Sequence, residues 1–153
     1  MFHSKSAVHN LLSPIVSLAM NINQIRLLLI VSDRTTASIS EFRLRLLGYG
    51  VTLVGRGEDF AAATSESEPD LVIVELALPG LSGFETITHI RRKSAMPIIA
   101  LSPDSSPESV RQAFVAGASE YLLMPFDPAT LEEKIERLTS ANSSLQLASG
   151  RGV

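Results

Sequence analysis

The chain alternates short apolar runs with longer stretches in which apolar residues recur every third or fourth position. The runs are IRLLLIV (25–31), VTLVG (51–55), LVIV (71–74), PIIALS (97–102) and EYLLM (120–124). Several of them are nearly all apolar, the pattern of strands covered on both faces. Between them lie helical patterns over 34–47, closed by Gly48, then 58–67, 84–93, 106–116, closed by Gly117, and 128–139. The fourth helix is entered through Ser105-Ser106-Pro107-Glu108. That stretch offers a hydroxyl cap, an early proline and a Glu able to close a capping box. The fifth begins in the same manner at Asp127-Pro128.

Five strand-then-helix units predict an α/β fold: a doubly wound, five-stranded parallel sheet with helices on both faces, since right-handed crossovers leave little choice. Strand order 2-1-3-4-5 suits a chain of this size, and its functional crevice lies beyond the carboxyl ends of the strands, near the switch between strands 1 and 3. The residues that reach this crevice are Ser32 and Asp33 after strand 1, Glu75 after strand 3, Ser102 after strand 4, and Met124 and Pro125 after strand 5.

The domain is expected over 25–139. Residues 1–24 read as a flexible N-terminal extension. Within them LLSPIVSLAM follows Lys5 like a weak export signal, but Pro14 interrupts it and no small-residue cleavage site follows. Met20 is an alternative start. Residues 140–153, SANSSLQLASGRGV, have little to bury and read as a disordered tail.

Composition narrows the function. A length of 153 residues, 45% hydrophobic and 19% charged, suits one packed domain. A net charge of −3 provides no basic field, so neither nucleic acid nor an anionic membrane is expected as a partner. The absence of Cys removes disulfides and thiolate chemistry, consistent with a cytoplasmic protein. No run of about 18 apolar residues predicts a membrane span.

Taken in order, IVSD before a helix, PDLVIVELALPGLSG, PIIALS and GASEYLLMPF resemble the receiver domain of two-component response regulators, over roughly residues 25–139. The resemblance implies a strand 3 carboxylate that accepts a phosphoryl group from a histidine kinase. It also implies an acid pair after strand 1 that helps hold Mg²⁺, a hydroxyl after strand 4 that contacts the phosphoryl group, and a Lys before Pro that neutralises charge. An aromatic on strand 5, here Tyr121, couples to the hydroxyl in that family, and the Pro125 peptide is expected to be cis.

This chain departs from the pattern where the chemistry sits. The acceptor position holds Glu75, the acid pair is Ser32-Asp33, and Met124 stands in the Lys position. Met supplies neither cation nor donor, and loss of one carboxylate weakens a Mg²⁺ site built on Asp33 and Glu75. The extra methylene of Glu75 shifts its oxygens by about an ångström, enough to cost on the order of a hundredfold in rate. The expectation is a degenerate, non-enzymatic receiver that works by protein contacts through helix 4, strand 5 and helix 5. Its partners would be a histidine kinase, a phosphotransfer protein, a regulator or a second copy of the chain. Two states of the site are open. In one, Glu75 imitates a phosphorylated acceptor by engaging Ser102, with Tyr121 completing a relay; in the other, the switch is lost. A competent phosphoacceptor is the alternative.

Simpler roles stand beside these. Asp33 suits a helix cap, Ser102 an ordinary loop, Tyr121 a strand aromatic and Met124 apolar packing. His89-Ile-Arg-Arg-Lys93 reads as a solvated cationic end of helix 3. A flavodoxin-like ligand site after strand 1 is the remote alternative. Asp33 would repel the phosphate there, no glycine allows close approach, and aromatic residues are only 5% of the chain.

Overall fold

The computed structural model describes residues 24–150, with side chains through 141; residues 151–153 and all but Gln24 of the expected N-terminal extension (1–24) lie outside the described residues. Five parallel strands form one sheet: β1 (Arg26–Ile30), β2 (Gly50–Val54), β3 (Leu71–Glu75), β4 (Ile98–Ser102) and β5 (Glu120–Leu123). Their order is β2-β1-β3-β4-β5, as the strand-helix alternation predicts. The register sets Ile30 beside Val74, Glu75 beside Leu101, and Ser102 beside Leu123.

Side chains alternate across each strand, so the apolar runs feed two cores. Leu28, Ile30, Val72, Val74, Ile98 and Ala100 point to one face. There they meet Phe60 of α2 (Phe60–Ala63), Ile87 and Ile90 of α3 (Gly83–Lys93), and Ala113 of α4 (Pro107–Ala116). Leu27, Leu29, Ile73, Ile99 and Leu101 point to the other face. They pack on Leu44 of α1 (Arg34–Leu46) and on Leu131 and Ile135 of α5 (Pro128–Gly150).

The helix starts follow their caps. Asp33, Ser82 and Ser106 accept from the backbone N–H of Thr36, Glu85 and Ser109, respectively. Pro107 occupies the first turn of α4, and Gly117 ends that helix at φ +123°. Glu108 does not close a capping box; it faces Arg111 one turn on, at 3.7 Å. The box needs its acid at the third helical position, which Ser109 occupies.

Two expected spans change. The helix expected over 58–67 is a 3₁₀ turn at Gly57–Asp59 followed by the single turn of α2. Its end is set by the Thr64 and Ser65 hydroxyls, which donate to the Phe60 and Ala62 carbonyls at 2.9 and 3.0 Å. The last helix does not stop at 139 but continues to Gly150, so residues 140–150 are helical where a disordered tail was expected. With no Gly or Pro between Ala129 and Ser149, extending a helix already anchored by packing costs little per residue.

Candidate functional site

The carboxyl ends of β1, β3, β4 and β5 bring Ser32, Asp33, Glu75, Ser102 and Met124 to one rim of the sheet. Glu75 is the last residue of β3, and the chain behind it is tightly held. The Leu76 N–H donates to the Leu101 carbonyl at 2.8 Å, and the Gly83 N–H donates to the Leu76 carbonyl at 3.0 Å. Gly83 is required here, because a Cβ would come within 2.4 Å of the Glu75 carbonyl oxygen and of the Leu76 Cα. The β3–α3 loop is pinned further by Glu58, whose Oε1 accepts from the Leu81 N–H at 2.6 Å. Glu58 escaped the sequence reading because its partner is a backbone amide 23 residues away, a contact without side-chain signature.

Glu75 turns toward Ser32. Its Oε2 accepts the Ser32 backbone N–H at 2.8 Å and the Ser32 hydroxyl at 3.0 Å. The expected Glu75–Ser102 contact is not formed. Ser102 is buried, and its Oγ accepts from the Asp104 N–H at 3.1 Å. The Tyr121 hydroxyl donates to the Asp104 carbonyl at 2.5 Å and lies 3.2 Å from the Ser109 hydroxyl. Ser102 and Tyr121 are therefore linked through the peptide groups of one residue, Asp104, and Glu75 stands outside that link.

Asp33 caps α1, accepting from the Thr36 hydroxyl at 2.6 Å and from its N–H at 2.9 Å. These bonds, the hydroxyl's first, hold the Asp33 carboxyl below its ordinary pKa. Asp104 is held low in the same way, by the Ser106 N–H and then its hydroxyl.

Met124 follows β5 through a hydrogen bond from its N–H to the Ser102 carbonyl at 2.8 Å, and the Met124–Pro125 peptide is cis. Its side chain packs toward the α1 and α5 core and lines an apolar hollow of about 240 Å³ with Ile39, Phe126 and Leu131. No ion pair involves Glu75 among the described residues.

The donor set does not fit Mg²⁺. That ion demands several oxygens in octahedral array. Here one oxygen of Asp33 serves the Thr36 cap and one oxygen of Glu75 serves Ser32, and no three acidic or histidine side chains converge among the described residues.

The cationic end of α3 is only partly solvated. Arg91 turns inward, where its guanidinium donates to the carbonyls of Gly117 (2.6 Å), Met96 (2.6 Å) and Ser94 (3.2 Å). Burial lowers its pKa. This staple joins α3 to the loops before β4 and β5, a role that its neighbours in HIRRK do not share and that charge patterning alone does not reveal.

Comparisons with known proteins agree with this fold. The family model described as response regulator receiver domain matches residues 28–136. The DNA-binding response regulator MtrA of Mycolicibacterium paratuberculosis is 30% identical over 110 residues, covering 72% of this chain and 49% of that protein. The chain thus spans about half the length of that curated relative. A putative response regulator from Chloroflexus aurantiacus superposes with a TM-score of 0.73 at 28% identity, over 76% of this chain and 98% of that one. The receiver domain of sensor histidine kinase PA1611 from Pseudomonas aeruginosa, solved with magnesium in its active site cleft, gives 0.71 at 28% identity, over 76% and 98%. With its strand order and matched span, the chain belongs to the response regulator receiver domain family.

Proposed function

We propose that this receiver signals by surface contact in the cytoplasm, without accepting a phosphoryl group and without enzymatic activity of its own. The observation that carries this reading is the Ser32–Glu75 clasp beneath an uncharged Met124. Phosphoryl transfer to a carboxylate rests on positioning and on neutralising charge. Here one of the two Glu75 carboxylate oxygens already holds two hydrogen bonds. The position that would supply a cation carries a thioether that packs, partly buried, against the α1 and α5 core.

The contact surface is the face built from α4, β5 and α5. Phe114 and Leu123 are each 45% exposed there. Exposed large apolar side chains grouped in this way suit a protein partner: a histidine kinase, a phosphotransfer protein, a regulator or a second copy of the chain.

Incubation with acetyl phosphate and Mg²⁺, followed by intact mass measurement, tests the reading. No added phosphoryl mass is expected. A stable adduct that disappears in Glu75→Gln would establish a competent phosphoacceptor instead. A pull-down with the intact chain and with Phe114→Glu then maps the face: bound signalling protein is expected to be lost in the variant.

A further inference from the structure

Helices α3 and α4 lie side by side on one face of the sheet, and an open groove of about 680 Å³ runs between them. Phe84 and Ala116, both partly buried against the core, supply apolar surface within it. Val115 stands on its α4 lip at 82% exposure. Phe114 and Leu123, on the α4–β5–α5 face, do not line it.

Charge is graded along this groove. Glu85, His89 and Arg92 recur at i, i+4 and i+7, so they share one side of α3, with Glu85 and Arg92 about 10 Å apart along its axis. Neither Glu85 nor Arg92 forms an ion pair among the described residues. The groove thus carries an unpaired acid at one end, an unpaired guanidinium at the other, and apolar surface beside them.

A second copy of the chain matches both features. The ridge that bears Val115 adjoins the groove, and a ridge beside a groove is what an isologous contact needs, since each copy then offers one to the other. Turned about a two-fold axis near Thr88 and Gln112, the copy runs its helices antiparallel to α3 and α4. The Glu85 end of each then meets the Arg92 end of the other. A parallel approach would set like charge on like.

We propose that the α3–α4 groove is the contact between two copies of this chain, in an antiparallel four-helix arrangement that seats Val115 of each copy against Phe84 of the other. Two helices about 15 Å long and about 10 Å apart present less than a standard interface, so the dimer is a weak one. Phe114 and Leu123 stay available to other partners, and the pairing does not depend on whether Glu75 can be phosphorylated.

Sedimentation of the full chain from about 10 μM to about 1 mM tests this. A concentration-dependent dimer is expected, and Val115→Asp is expected to raise its dissociation constant at least about tenfold. Charge reversal probes the direction of pairing. Glu85→Arg and Arg92→Glu each set like charges at both ends, and each is expected to weaken the dimer about tenfold. The double variant, and an equimolar mixture of the two single variants, are expected to return to within about threefold of the wild type. All these positions are exposed, so the fold itself is expected to be unaffected. A chain that stays monomeric across the range would overturn the proposal, as would single reversals without effect or a combination that does not recover. A dimer lost in Phe114→Glu and retained in Val115→Asp would overturn it too, by assigning self-association to the α4–β5–α5 face.

Discussion

One oxygen of Glu75 takes both hydrogen bonds that Ser32 can donate, 2.8 Å from its backbone N–H and 3.0 Å from its hydroxyl. Ser32, where the family resemblance implies a metal-binding acid, is thus the partner that satisfies the carboxylate at the end of β3. Ser32→Ala keeps the N–H bond and removes the hydroxyl, and is expected to cost about 1 kcal/mol in urea denaturation. A neutral result would mean that solvent serves Glu75 equally well.

Restoring the family pattern provides the second test. Ser32→Asp, Glu75→Asp and Met124→Lys together return a carboxylate pair, a shorter acceptor and a cation to the same rim. The triple variant is expected to gain Mg²⁺-dependent thermal stabilisation and an acyl phosphate with acetyl phosphate, neither of which is expected of the wild type. Failure of both would place the defect in the surrounding loops, for example where Glu58 holds Leu81.

The third concerns acid. Burial works to raise the pKa of Glu120, but hydrogen bonds and charge from Lys134 and Arg137 outweigh it, so the native carboxyl lies below its ordinary value of 4.5. A lowered native pKa stabilises the fold above the unfolded value, and the benefit fades as pH falls through the native one. Glu120→Gln is expected to cost about 1 kcal/mol at neutral pH, since the pair is partly exposed and screened. The gap between the two proteins should stay constant above pH 4.5 and close below it. Denaturant midpoints across that range give the answer; a gap that widens in acid would contradict the assignment.

Arg91 supplies the fourth. Its guanidinium serves the carbonyls of Gly117, Met96 and Ser94 at the seam between α3 and the loops before β4 and β5. Arg91→Met keeps much of the packing but strands those acceptors, and about 2 kcal/mol of stability is expected to be lost. Arg92→Met, one position on and exposed, is expected to change stability by less than about 0.5 kcal/mol.

These residues also mark what the chain's pattern could and could not disclose. The five strands and their order follow from apolar runs that must be covered on both faces. The caps at Asp33 and Ser106 follow from residue type alone. The rim residues were legible because the ends of parallel strands are fixed by topology. The direction in which Glu75 turns was not, because Ser32 and Ser102 are both hydroxyls within the same crevice and only three-dimensional placement separates them. Arg91 was hidden by its charged neighbours, and residues 140–150 by a composition that suits a tail as well as the end of a long helix.

The link from Ser102 through Asp104 to Tyr121 has one last implication. The aromatic ring is fastened to the segment bearing the strand 4 hydroxyl, and neither is fastened to Glu75. A molecule bound to the outside of the domain near Tyr121 would therefore bear on the turn after β4 through Asp104, by hydrogen bonds that bypass Glu75.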